Sequence, residues 1–139
     1  MTRKPPARQF ARKPKRPQPD SHATRDAAVA ACEERKAQDG LVLDLRHLSD
    51  AADYFVVVSG TSDTHVRAIA DHVIETLAAA GIRPYQVEGL NQGRWVLVDY
   101  VDTVVHVFHP TLRSFYQLEG LWGDAPRQDL VDAPPARSD

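Results

Sequence analysis

Asp99 and Asp102, the two carboxylates of DYVD, are the pair in this 139-residue chain that most invites chemistry. Metal-assisted phosphoryl transfer of the nucleotidyltransferase type wants two carboxylates on one strand face, two residues apart, converging on magnesium. These two are three apart with a turn beginning between them, and no Asp-x-Asp occurs anywhere in the chain. The pattern fails the requirement, and Asp102 is read instead as satisfying backbone groups of the turn. SGTSD, residues 59–63, sits where a strand gives way to a helix and could cradle a phosphate on helix N–H groups. It lacks the lysine of a P-loop and the glycines of a dinucleotide fingerprint, so helix capping is the alternative.

The histidines and the cysteine add little chemistry. His106 and His109 fall on opposite sides of an extended strand, and His65 and His72 lie two turns apart on a helix. His65, His106 and Asp99 could meet only through tertiary folding, so no metal site is expected. Cys32 has no evident base and sits in an Ala-rich stretch, which reads as a small buried hydrophobe. There is no Ser-His-Asp order and no G-x-S-x-G elbow. No cofactor is implied, and the enzyme reading is short of parts.

The elements that must position these residues follow from periodicity. Thr24 to Gln38 is Ala-rich without Gly or Pro, which predicts a helix ended by Gly40. LVLDLRHL, 41–48, alternates as a strand does, and LSDAAD reads as a turn. DYFVVVSG, 53–60, is nearly all apolar and predicts a strand buried on both faces. Val66, Ile69, Ala70, Val73, Ile74 and Leu77 recur at helical spacing. Thr61 or Ser62 can cap that helix, Asp63 suits its positive end, Gly81 suits its C-terminal exit and Pro84 stops it. The strand PYQVEG after it implies a right-handed βαβ crossover. A hairpin over 93–110 follows. Leu112, Phe115 and Tyr116 then share a face of a last helix over 111–122, ended by Gly123. The expected order is α-β-β-α-β-β-β-α, an α/β fold with a mixed five-stranded sheet and helices packed on it.

Centring the hairpin turn on Val101-Asp102 separates two faces. Tyr100/Thr103, Val98/Val105 and Val96/Val107 form a valine-rich face suited to lie under a helix. Asp99/Val104, Leu97/His106 and Trp95/Phe108 form the other. That second face has the composition of an interface hot spot, aromatics with a few polar groups. Either it is open and binds a partner, or helices cover both faces and Trp95 is core. A turn of odd length would exchange the faces of one strand.

Composition bounds the rest. The chain is 42% hydrophobic, enough for one domain with a core, and no run approaches the roughly 20 apolar residues of a membrane helix. No apolar segment near the N-terminus suggests a secretory signal, and a lone cysteine excludes an internal disulfide and fits a reducing compartment; a cytoplasmic location is expected. Residues 1–19 hold seven Lys or Arg, five prolines and no acid, leaving 19 acids against 10 bases on residues 20–139. The organisation read from this is a disordered basic arm over 1–22, a domain over 23–124 and a Pro-rich, frayed tail over 125–139. The arm either touches nucleic-acid phosphates or is a solvated tail. The acidic domain suits a basic partner, or is acidic only for solubility.

ADYFVVVSGTSDTHVRAIADHV, then VEG, then WVLVDYVDTVVHVF, then RSFYQLEGLW together closely resemble the ribosomal silencing factor family, RsfS, also called Iojap. The resemblance covers roughly residues 24–124, and it is the several motifs in order that are specific. It implies a fold related to nucleotidyltransferases but without their catalytic residues. It also implies binding to the large ribosomal subunit, chiefly through the large-subunit ribosomal protein numbered fourteen, at the face where the small subunit docks. Such a factor blocks subunit joining and represses translation when nutrients are short. Members also act in large-subunit maturation in organelles, and homodimers occur. The family's W-V-L-x-D-Y segment, implicated in the partner contact, carries over to Trp95, Val96, Leu97, Asp99 and Tyr100, with His106 expected to shape the patch. This chain departs from the family at the turn, where Val101-Asp102 stands for the common Gly-Asp. A type I′ turn needs positive φ at both positions, which valine resists. The basic arm lies outside the family core. Two other classes stay open: a nucleotide-binding or nucleotidyl-transferring enzyme using SGTSD and Asp99, and a dimeric scaffold burying the aromatic face between two copies.

Overall fold

The computed structural model describes residues 21–48, 50, 52–112 and 126–130. Its elements are α1 (Ser21–Glu34), β1 (Gln38–Asp44), β2 (Tyr54–Ser59), α2 (Asp63–Ala79), β3 (Gln86–Glu88), β4 (Trp95–Asp99), β5 (Thr103–Phe108) and β6 (Arg127–Asp129). They build one mixed sheet in the order β3-β4-β5-β2-β1-β6. β2 and β5 pair in parallel, and every other neighbouring pair is antiparallel. All six residues of β2 are buried, as its unbroken apolar run requires of an interior strand. The crossover through α2 is present, but it passes over β5 and β4 to reach β3 at the edge.

α1 and α2 cover one face. Ala28, Ala31 and Cys32 of α1 and Val66, Ile69, Ala70, Val73 and Leu77 of α2 pack on Val56, Val58, Val96, Val98, Val105 and Val107. The two helices are also tied to each other. His65 donates from Nε2 to the Arg35 carbonyl at 2.7 Å, and His72 Nε2 lies 2.6 Å from Glu34 Oε1. On the other face Leu41, Leu43, Leu45, Ala52, Phe55, Val57, Leu97, Val104 and Phe108 form a second cluster, with Leu112 packed against it.

α2 begins and ends where its residue types place it. Ser62 is the N-cap, its hydroxyl accepting the His65 N–H at 3.1 Å, with Asp63 in the first turn. At the far end Gly81 (φ +84°) donates to Ala78 and Ile82 donates to Leu77, which is a Schellman closure. Ser62→Ala is expected to cost about 1 kcal/mol, read as a fall in melting temperature of roughly 4–8 °C.

Three expectations are corrected. α1 ends at Glu34, not at Gly40. Lys36 takes φ +60°, with Lys36 N–H on the Glu33 carbonyl and Ala37 N–H on that of Cys32, the same closure built on a lysine. Gly40 instead lies in β1 beside a bulge, where a Cβ would come within 2.9 Å of Leu130. The sheet has six strands rather than five. Leu43, Val42 and Leu41 pair with Arg127, Gln128 and Asp129, in the stretch expected to fray. These three residues are exposed and carry no apolar signal; backbone hydrogen bonds, with Leu130 N–H on the Gly40 carbonyl at 2.8 Å, hold them. Of the last helix, residues 110–112 are helical, and the remainder lies outside the described residues, as does the basic arm up to residue 20.

Candidate partner-binding site

The hairpin has the register the alternation implies. Trp95 pairs with Phe108, Val96 with Val107, Leu97 with His106, Val98 with Val105 and Asp99 with Val104, and Tyr100 N–H closes the turn on the Thr103 carbonyl at 2.8 Å. Val101 and Asp102 are therefore its central residues. Val101 alone of the two has positive φ, at +76°, so the turn is not type I′. A β-branched residue is strained there and must be held. Asp99 Oδ1 accepts the Val101 N–H at 2.8 Å, and the Asp102 carbonyl accepts from Asp53 and Tyr54 at the start of β2, at 2.7 and 3.1 Å. Asp99 is thus a turn-satisfying carboxylate, a role the sequence suggested for Asp102. Asp99→Ala should lower unfolding free energy by about 2 kcal/mol, since a buried N–H loses its acceptor, and Asp99→Asn by less. Urea denaturation measures both.

Five of the six residues singled out for partner contact are buried. Val96 and Tyr100 belong to the core under the helices. Leu97, Asp99 and His106 lie on the opposite face and are at most 1% exposed, as are Val104 and Phe108. That face is covered, and among its residues on β4 and β5 Trp95 alone is part-exposed. Alternation along the strands separated the faces correctly but carried no information about which would be covered.

Trp95 is set by its surroundings. Its ring stacks on Phe108 with centroids 4.9 Å apart, and its Nε1–H donates to His106 Nδ1 at 3.1 Å. His106 is itself held edge-on to Phe55 at 4.6 Å. Before it, Gly89 (φ +82°) runs so close to Trp95 that a Cβ would sit 2.1 Å from the Trp95 carbonyl oxygen. Gly93 (φ +68°) lets the loop pass the first turn of α2, beside the Asp63 carbonyl and Arg67. Sequence reading missed both glycines; their spacing ahead of Trp95 was the available signal.

Several groups the enzyme alternative would use are engaged within the protein. The N–H of Thr61 goes to His65 Nδ1 at 2.8 Å, that of Gly60 to the Phe108 carbonyl at 2.9 Å, and those of His65 and Val66 to the Ser62 hydroxyl and carbonyl. A phosphate held by these four N–H groups would have to displace their present partners. His109 faces Asp63 at 3.5 Å and Thr111 at 3.0 Å. Burial pushes the Cys32 thiol up to about 12, away from thiolate chemistry. Among the described residues no three His, Cys, Asp or Glu side chains are grouped to hold a metal ion, and no helix is long and apolar enough to cross a membrane.

Residues 18–139 match the family model described as "Ribosomal silencing factor during starvation". The chain belongs to the ribosomal silencing factor family. It is 50% identical over 103 residues to the ribosomal silencing factor RsfS of Bacillus subtilis (strain 168), a match covering 74% of this chain and 87% of that protein. It is 32% identical over 100 residues, 70% of this chain and 44% of the relative, to the mouse protein named "Mitochondrial assembly of ribosomal large subunit protein 1". A crystal structure of a Chromobacterium violaceum protein has the same fold, with a TM-score of 0.74 at 34% identity over 86% of this chain and 97% of that one. Ribosomal silencing factors are regulatory proteins rather than enzymes, in keeping with an Asp99 carboxylate spent on a turn.

Proposed function

We propose that this chain binds the large ribosomal subunit, chiefly through its ribosomal protein numbered fourteen, at the face where the small subunit docks. Its bulk then blocks subunit joining and represses translation under nutrient limitation. The family supports the ribosome as target. The observation that carries the contact is Trp95, the part-exposed member of an otherwise buried aromatic face. Val96, Leu97, Asp99, Tyr100 and His106 serve it from beneath, fixing the strand, the turn and the ring. The excess of acids on residues 20–139 favours a basic ribosomal protein through steering and charge complementarity. The basic arm adds a salt-sensitive contact to ribosomal RNA. The sheet serves as a nucleotidyltransferase-like frame put to docking, and the protein acts in the cytoplasm and is able to pair as a homodimer.

The experiment is co-sedimentation of the purified chain with separated ribosomal subunits. Travel with the large subunit alone is expected. Absence from both pellets, with melting raised by a nucleotide and magnesium, would replace this reading by the enzyme alternative. Absence from both, with a dimer that Trp95→Ala splits, would replace it by the scaffold. Deleting residues 1–19 should leave the selectivity intact and flatten the salt dependence of binding.

A further inference from the structure

Trp95 has one polar atom, and it points inward. The indole Nε1–H donates to His106 Nδ1 at 3.1 Å. A neutral histidine that accepts at Nδ1 carries its own proton at Nε2, so the bond selects one tautomer. The imidazole has no freedom to turn away: it is fully buried, edge-on to Phe55 at 4.6 Å, and parallel to Phe108 within 9° at 6.2 Å. Phe108 also takes a face of the Trp95 ring. The indole is therefore gripped twice, by stacking on Phe108 and by a directional bond to His106.

We propose that His106 is the positioning residue for Trp95, and that by taking the indole proton inside the protein it sets what a partner can use. This rests on the reading of Trp95 as the docking anchor. With Nε1–H occupied, the exposed part of the ring offers no hydrogen-bond donor. It offers only π surface and C–H edge, which an aliphatic side chain or the cation of a Lys or Arg can cover. A partner whose matching group is a carboxylate or a carbonyl gains nothing there. Holding the ring in one orientation before contact also removes the cost of ordering it during contact.

The test uses the full chain with His106→Phe, which keeps ring packing and removes the acceptor, and His106→Asn, whose Oδ1 falls near the place of Nδ1. Exchange of the Trp95 indole proton with solvent is followed by NMR on the free protein, and affinity for the large subunit is measured in parallel. His106→Phe is expected to speed exchange by about tenfold or more and to weaken binding by about tenfold, roughly one buried hydrogen bond. His106→Asn should restore much of both. In a Trp95→Phe background, which has no indole proton, His106→Phe should cause no further loss of binding. Unchanged exchange in His106→Phe would overturn the proposal. So would equal losses in His106→Phe and His106→Asn, or full additivity with Trp95→Phe. Should His106→Phe fail to fold, His106→Leu, which also lacks an acceptor, takes its place with the same outcomes supporting or overturning the proposal. Trp95→Ala binding as tightly as wild type would instead sink the docking reading, whatever the exchange rates show.

Discussion

Trp95→Ala is expected to yield a folded protein whose affinity for the large ribosomal subunit falls by about 30- to 1,000-fold, or 2–4 kcal/mol, the usual cost of truncating an aromatic anchor. The substitution removes the part-exposed ring from a face that is otherwise closed. It also uncovers Phe108 and leaves His106 Nδ1 without the donor it now has. Some stability is lost as well, about 2 kcal/mol, less than for a fully buried tryptophan because part of the ring already faces solvent. The two losses separate experimentally: a melting curve reports the second, co-sedimentation below the melting temperature the first. A variant that stays folded and pellets with the large subunit as wild type does would remove Trp95 from the contact.

The largest stability effect belongs to Gly89. At φ +82° an L side chain is strained, and an added Cβ would lie 2.1 Å from the Trp95 carbonyl oxygen and 3.1 Å from its carbon. Both contacts are with backbone, so no side chain can rotate out of the way. Gly89→Ala is expected to cost on the order of 3–5 kcal/mol, a drop of more than roughly 10 °C in melting temperature. Relief must come from moving the first residue of β4, so binding should fall along with stability. Gly81 is the control. It has nearly the same φ, +84°, and nothing within 4 Å of an added Cβ. Gly81→Ala should cost only the conformational strain, about 1–2 kcal/mol, and leave binding untouched. Equal losses at the two positions, by thermal melting, would show that backbone conformation rather than the close approach governs Gly89.

Much of this was legible in the residues. The 3.6-residue recurrence gave α2 its buried face, and Ser62 and Gly81 marked its ends because each supplies a hydrogen-bonding geometry few other residues match. The period-2 pattern of 95–108 fixed the register through the turn. What was not legible depends on contacts distant in sequence or on strained conformations. Lys36 at φ +60° closes α1, although lysine carries no sign of left-handed geometry. β6 is held by backbone pairing with β1, which its exposed Arg-Gln-Asp does not announce. The covered aromatic face depends on tertiary packing, and the part Asp99 plays in the turn depends on which oxygen reaches Val101 N–H.

The parallel pairing of β2 with β5 has a consequence for how the chain is made. Tyr54 pairs with Thr103, 49 residues further on, and the sheet's central ladder cannot form before β5 exists. On a ribosome adding about 5–20 residues per second, β2 waits roughly 2–10 s after its own synthesis. During that wait YFVVVS, a six-residue apolar β-former without charge or proline, has an unpaired edge. A high contact order of this kind also slows folding, toward the millisecond-to-second range. Nascent chains arrested between β2 and β5 should therefore be the species that aggregate or recruit chaperones, while chains extended past Phe108 should not.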